Sequence, residues 1–264
     1  MGKPLIPAQR RERIQEYLGI HQIARIADLC ALLETSEATI RRDLEWLEME
    51  GFLERTHGGA ILSQRLTAEP EYLQRLQRNP DEKHHIGALA ASLIEDGDIV
   101  FINSGTTTTQ ALHQIRQSAS ISVFTNNLSA TLEMGESGFQ LHVIGGEYQP
   151  VSRSTAGRFA MENLRQVYAD KCILGVDGMS LKHGFTVPTN AEAEVIRTMI
   201  ERTKGQVIVV ADHSKWGVVS NFQIASIDEV ALLVTDEQFK ASAIEELAAH
   251  SVKTLIASQD TVRA

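Results

Sequence analysis

The stretch SEATIRRDLEWLEMEGFLERTHGGA, residues 36–60, decides the reading of the N-terminal part of the chain. Ser36 suits a helix N-cap, because its hydroxyl can accept a first-turn N–H that has no partner within the helix. From there Ile40, Leu44 and Leu47 fall at i, i+4 and i+7 and form one apolar stripe. At about 100° per residue, Thr39, Arg41 and Arg42 point elsewhere. Gly51 marks the C-terminal stop. Two short apolar runs then flank Gly58 and Gly59, which reads as a hairpin. Working upstream, Ile14, Tyr17 and Leu18 predict a helix over 8–19 ended by Gly19. Ile26, Leu29, Leu32 and Leu33 predict a second helix, linked to Ser36 through Glu34 and Thr35. Three helices followed by a hairpin spell a winged helix-turn-helix.

Working downstream, residues 63–83 lose periodicity and carry Pro70 and Pro80, so they are assigned to a linker, within which Glu71 to Arg78 can still be helical, between a head at 1–62 and a second domain at 84–264. From Ile86 onward short apolar strands alternate with helical stretches. Strands are expected at 98–103, 121–125, 139–144, 171–176, 206–211, 230–234 and 252–256. Helices are expected at 84–95, 107–116, 128–135, 157–167, 191–204 and 240–249. That alternation means an α/β domain of Rossmann-like build around a mainly parallel sheet.

Composition sets the boundaries. The chain has 264 residues, 43% of them hydrophobic and 22% charged, enough to bury two cores and unlike a disordered or fibrous chain. No apolar run approaches the roughly 20 residues that span a bilayer. Met1 to Arg13 lacks an apolar segment of the secretory type. Only Cys30 and Cys172 occur, too few for a disulfide framework or a thiolate zinc site, so a reducing cytoplasmic location is expected. The net charge of −9 excludes a protein that coats nucleic acid with its whole surface. Residues 1–66 hold nine Lys/Arg against ten Asp/Glu, so DNA contact must rest on placement.

Ser36, Thr39, Arg41 and Arg42 lie within two turns of a helix that follows a tight turn, as in a recognition helix entering the major groove. Arginine can grip guanine bidentately, and hydroxyls hold phosphates. A plain solvated face with ion pairs among Arg41, Arg42, Asp43, Glu45 and Glu48 is the competing reading. As written, "TIRRDL" followed by "R-x-HGGA" closely resembles the N-terminal signature of the DeoR family of bacterial transcriptional regulators. The resemblance implies sequence-specific operator binding through Ser36, Thr39, Arg41 and Arg42, with Arg55 and His57 in the wing. One departure is that Ala24 and Arg25 stand where the second helix usually opens on a hydroxyl cap, a loss of about 1 kcal/mol.

In the second domain, the strand at 98–103 delivers Ser104, Gly105, Thr106, Thr107 and Thr108 to a helix start. Free N–H groups and the helix dipole there favour a phosphate. An ordinary polar turn with a capping hydroxyl fits the same residues. Other strand ends carry Asn126, Gly145, Gly146, Asp177 and, after 206–211, Asp212 and Lys215. Ligands bind outside the carboxyl ends of such strands. A bare turn ion pair between Asp212 and Lys215 is the alternative for the last two.

Residues 84–256 also resemble the DeoR-type sensor domain, through "NSGTTT", "TNNL", "GGE", "GVDGMS" and "ADHSKWG". That domain is similar to the ribose-5-phosphate isomerase fold, which implies a phosphorylated sugar or a related small anion as effector. The match assigns Ser104, Gly105, Thr106, Thr107 and Thr108 to phosphate and Asp177 and Lys215 to the rim. Asn126 and Gly146 match family motifs with no role evident from the residues. The isomerase's acidic segment and lysine are absent here: Asp177 and Gly178 are followed by Met179 and Ser180, and Lys182 comes too early. An enediol proton shuttle needs both groups.

No P-loop, G-x-G-x-x-G or G-x-S-x-G motif occurs, and adjacent His84 and His85 cannot chelate one metal from a single helix face, so no cofactor, metal or catalytic residue is expected. Asp212, His213 and Ser214 have the composition of a hydrolase triad, but consecutive residues cannot adopt its geometry. Trp46, Met49, Phe52 and Leu53 read as core or interdomain packing. The sequence thus points to a ligand-responsive regulator, a repressor of sugar or carbohydrate metabolism genes, whose partners are an operator duplex, a phosphorylated sugar and further copies of itself. A sugar-phosphate isomerase with an accessory DNA-binding head is the alternative.

Overall fold

The computed structural model describes residues 6–21, 23–49, 53–56, 58–62, 64–66, 72–116 and 120–259. The chain divides into two compact units, Met1–Arg65 and Leu66–Ala264.

The first unit runs α1 (Pro7–His21), β1 (Ile23–Arg25), α2 (Ile26–Leu33), α3 (Glu37–Met49), β2 (Leu53–Thr56) and β3 (Gly59–Leu62). Ile14 and Leu18 from α1, Ile26, Leu29 and Leu33 from α2, and Ile40, Leu44 and Leu47 from α3 close one core with Leu53 and Ala60 of the hairpin. The helix spacing and the hairpin are as expected from the sequence, with three differences. α1 continues through Gly19 to His21. β1, three residues long, pairs with β3 and makes the wing three-stranded. Gly59 makes that pairing possible, because a Cβ there would lie 2.0 Å from the Ala24 carbonyl oxygen. Of the apolar stripe, Leu53 is core, but Trp46 and Met49 are exposed; Phe52, like Gly51, lies outside the described residues.

Asp43 is the largest surprise in this unit. Its place beside charged neighbours suggests a solvated face, yet it is only 2% exposed. It accepts from Arg10 Nε at 2.7 Å and Arg11 Nε at 3.2 Å and so pins α1 to α3. Arg11 also covers the Trp46 ring, 4.1 Å from its centroid.

The strand β4 (Gln64–Leu66) spans the division. The second unit then runs α4 (Tyr72–Leu76), α5 (Pro80–Ser92), β5 (Ile99–Ile102), α6 (Thr106–His113), β6 (Ser122–Thr125), α7 (Leu128–Met134) and β7 (Gln140–Val143). It continues through β8 (Glu147–Gln149), β9 (Ser154–Ala156), α8 (Gly157–Leu164), β10 (Ala169–Gly175), β11 (Gly178–Ser180) and β12 (Gly184–Val187). It ends with α9 (Asn190–Glu201), β13 (Thr203–Val210), β14 (Val218–Ser220), β15 (Phe222–Ala225), β16 (Leu232–Asp236), α10 (Ala241–Ala249) and β17 (Lys253–Ala257). Seven strands form one sheet in the order β17-β16-β13-β10-β5-β6-β7, every pair parallel.

Alternation along these strands builds a layer on each face. Phe101, Cys172, Leu174, Val207, Val209 and Leu233 face α8, α9 and α10. Val100, Ile102, Ile173, Ile208, Val210 and Val234 face α5, α6 and α7. A smaller sheet, β11-β12-β15, was not foreseen from periodicity. Nor was the extent of the second unit: α4 and the first turn of α5, assigned to a linker, belong to it, with Tyr72, Arg75 and Lys83 buried.

Removing the Asp43 carboxylate leaves two arginines facing a largely dry contact, and breaking such a pair costs on the order of 2 kcal/mol. Asp43→Ala is expected to lower the melting temperature of the N-terminal unit by several degrees; an unchanged transition in calorimetry contradicts that role.

Candidate functional site

On the first unit, α3 divides its labour by face. Ile40, Leu44 and Leu47 are buried, whereas Ser36, Arg41 and Arg42 are exposed. The Ser36 hydroxyl lies 3.0 Å from the Thr39 hydroxyl and accepts the Thr39 N–H at 3.4 Å, so the cap and a candidate contact residue are fixed together. Arg41 pairs with Glu37 one turn back at 3.6 Å, with both side chains more than half exposed. Such an exposed contact is weak. Arg55 pairs with Glu48 at 3.4 Å. His57 lies outside the described residues. Arg25 caps α2 without a side-chain hydrogen bond, as the sequence implies. The wing turn supplies a partner instead: Ile26 N–H donates to the Gly58 carbonyl at 2.9 Å.

On the second unit, the chain builds β5, β6 and β7 outward in one direction and then returns to place β10 on the other side of β5. Loops after β5 and β10 therefore leave the sheet on either side of its reversal point, the place where open α/β sheets form a crevice. Asn103 closes the floor: its Nδ2 donates to the Gly175 carbonyl at 3.0 Å and its Oδ1 accepts the Gly175 N–H at 2.8 Å. The loop above, Ser104 to Thr108, enters α6, whose first regular bond is Thr109 N–H to the Gly105 carbonyl at 2.9 Å. The N–H groups before it have no partner inside the helix. Ser104 is 3% exposed, and its Oγ has no hydrogen-bond partner among the described residues.

Across the crevice Asp177 is buried, with Lys215 Nζ 3.6 Å and Arg75 Nη1 3.5 Å from its Oδ1. Asp212 accepts from Asn79 Nδ2 at 2.9 Å and from the Ser214 N–H and hydroxyl at 3.0 and 2.5 Å. Burial pushes its carboxyl upward, but Ser214, Lys215, Asn79 and Lys83 outweigh that and hold it below the ordinary value. Lys83 donates to the carbonyls of Arg75 and Arg78, each at 2.5 Å. Burial lowers its pKa to about 8, opposed by Asp212 and reinforced by Lys215, Arg75 and Arg78. Three cations, the buried Arg75 and Lys83 and the partly exposed Lys215, thus stand around the carboxylates of Asp177 and Asp212.

Asn126 and Gly146 now have describable places. Asn126 Oδ1 accepts the Ser104 N–H at 2.9 Å and its Nδ2 donates to the Thr155 carbonyl at 2.8 Å, tying the loop to β9. Gly146 is a close-approach position: a Cβ there would lie 2.4 Å from the Ala156 oxygen. Ser214 gives its hydroxyl to Asp212 while the His213 ring pairs with Asp236 at 2.9 Å, so the three consecutive residues form no nucleophile relay. Sequence reasoning missed Arg75, Asn79 and Lys83 because they lay in the assumed linker. Pro80 with Asp81 and Glu82 behind it is a helix-start signal that would have placed α5.

The fold defines a winged helix-turn-helix unit followed by a larger α/β unit built on a parallel sheet. The chain belongs to the DeoR family of transcriptional regulators: residues 10–65 match the DeoR-like helix-turn-helix domain and residues 78–237 the DeoR C terminal sensor domain. It is 36% identical to the HTH-type transcriptional repressor GlcR of Bacillus subtilis, over 96% of this chain and 97% of that one. It is 30% identical to the putative aga operon transcriptional repressor of Escherichia coli O157:H7, over 96% of this chain and 94% of that one. Among solved structures it is similar to ribose 5-phosphate isomerase A of Methanocaldococcus jannaschii, with a TM-score of 0.38 and 14% identity over 52% of this chain and 55% of that one. No described helix is long and apolar enough to cross a membrane, and no described cluster of His, Cys, Asp and Glu is arranged to hold a metal.

The depressed Lys83 pKa fixes a pH dependence. Between about 8 and its ordinary value of 10.5 the unfolded chain binds this proton and the folded chain has released it. Stability from this group therefore rises with pH through that window. Lys83→Met is expected to flatten the rise, as measured by urea denaturation across the window; parallel curves for the two proteins contradict it.

Proposed function

We propose that this chain is a cytoplasmic, ligand-responsive repressor of genes for sugar or carbohydrate-derivative metabolism, with a phosphorylated sugar as effector. One observation carries the effector half: a buried Ser104 hydroxyl without a partner among the described residues, at the N-terminus of α6 and the reversal point of the sheet. Ser104, Gly105, Thr106, Thr107 and Thr108 would receive the phosphate, because backbone N–H groups, hydroxyls and the helix dipole all favour an anion there. Lys215 and Arg75 would balance its charge. Asp177 and Asp212 are the acceptors available for sugar hydroxyls. Asn126 and Gly146 serve by holding the loop and its neighbour in shape.

DNA recognition is assigned to Ser36, Thr39, Arg41 and Arg42 on α3, with Arg55 and His57 in the wing. The exposed arginines opposite a buried stripe support this, as do the names of the relatives. Operators of helix-turn-helix proteins are commonly paired half-sites, so self-association accompanies the reading. The ligand shifts DNA binding only through unequal affinity for the DNA-competent and incompetent states. The relatives' names as regulators support a non-enzymatic role.

Two measurements test the halves separately. On an operator selected from a random duplex library, Arg42→Ala is expected to weaken binding about tenfold, the scale of one lost bidentate base contact. Wild-type binding should also fall steeply as salt rises; salt-insensitive binding, or unaltered affinity of the variant, refutes the DNA assignment. In a thermal-shift screen of sugar phosphates, at least one should raise the melting temperature of the wild type and not that of Ser104→Ala with Lys215→Met. No shift with any of them refutes the effector assignment.

A further inference from the structure

We propose that α4 reports whether the anion crevice is filled, with Tyr72 and Arg75 as the positioning residues that couple it to the loop and to Asp177; this rests on the crevice being an anion site.

The coupling to the loop runs through one hydroxyl. Thr109 Oγ1 donates to the Gly105 carbonyl at 2.7 Å, accepts from Asn127 Nδ2 at 2.8 Å, and lies 3.1 Å from the Tyr72 hydroxyl. A hydroxyl has one proton and two lone pairs. Either hydroxyl can donate in the Tyr72–Thr109 contact, and both arrangements join the phenol to the loop. Burial pushes that phenol above its ordinary pKa, which keeps its proton in place.

The Gly105 carbonyl also accepts the Thr109 N–H at 2.9 Å and the Thr108 hydroxyl at 3.0 Å. A peptide unit is planar, so fixing that carbonyl fixes the Thr106 N–H on the far side of the same unit. Thr106 N–H is one of the groups offered to the anion. A continuous path therefore leads from α4 through Tyr72, Thr109 and Gly105 to the first helical N–H of the crevice.

The second coupling is electrostatic. Arg75 lies one turn after Tyr72 and shares Asp177 Oδ1 with Lys215. A phosphate entering between the loop and Lys215 competes with Asp177 for the same cations, so occupancy alters the hold on Arg75. Lys83, bonded to the Arg75 and Arg78 carbonyls, ties the end of α4 to α5. α4 is also the first helix of the second unit, which begins at Leu66 directly after the N-terminal unit ends at Arg65.

The test is hydrogen exchange by mass spectrometry on the full chain, with inorganic phosphate as the probe. In the wild type, phosphate should slow exchange in residues 104–109 and change it in 72–78. In Tyr72→Phe and Thr109→Val the response of 104–109 should persist, weakened a few-fold, while that of 72–78 falls by about half or more. Thr109→Ser keeps the hydroxyl and should restore the wild-type response. Thermal melting reports whether each variant folds, and the Thr109 pair decides the matter if Tyr72→Phe does not. An undiminished 72–78 response in Tyr72→Phe or Thr109→Val overturns the proposal, as does an equal loss in Thr109→Ser. A wild type in which 104–109 responds and 72–78 does not refutes the coupling alone. A wild type in which neither responds refutes the anion site and the coupling with it.

Discussion

One side-chain amide stands where the second unit changes direction. Asn103 donates to and accepts from the same residue, Gly175, and so joins β5 to β10 beyond the end of their backbone ladder. Strands laid down outward on one side and then on the other leave loops that part at this junction. The parted loops carry Ser104 to Thr108 on one lip and Asp177 on the other. The crevice is thus a consequence of strand order, and its chemistry comes from what those two loops contain. Cations gather there at a cost in desolvation, visible in Lys83, whose ammonium is buried and whose pKa falls to about 8.

The N-terminal unit solves a different problem with a small core. Its helices leave α3 half buried and half free, and Asp43 gives the free half a rigid base by binding Arg10 and Arg11. Arg41 and Arg42 remain outside that network and exposed. Gly59 admits the third strand of the wing, and the same turn satisfies the first N–H of α2, compensating for the missing hydroxyl cap. Local departures from a consensus pattern need not weaken a fold when a neighbouring backbone group supplies the partner.

Much of this was legible before any coordinates. Ile40, Leu44 and Leu47 identify α3, Gly58 and Gly59 identify the hairpin, and the alternating apolar strands identify the large sheet, because burial on one face leaves a period in the sequence. Elements of three or four residues, such as β1 and the β11-β12-β15 sheet, carry too short a period to read. Asp43 was misjudged because its charge suggests solvent, whereas partners 32 and 33 residues away make burial tolerable. The segment from Tyr72 to Lys83 reads as a linker with room for a helix because its polar residues show no period, whereas the fold buries Tyr72, Arg75 and Lys83 in the second unit.

The sequence by itself determined the two-unit plan, the face of α3 left exposed, and the loop that opens α6, since each rests on local spacing. Only the tertiary structure decided which charges meet. Arg75, Lys83, Asp177, Asp212 and Lys215 are far apart in the chain and converge through sheet order and the packing of α4 and α5. Pairing among distant charges leaves no periodic trace, because it depends on where strands end in space rather than on how residues repeat along the chain.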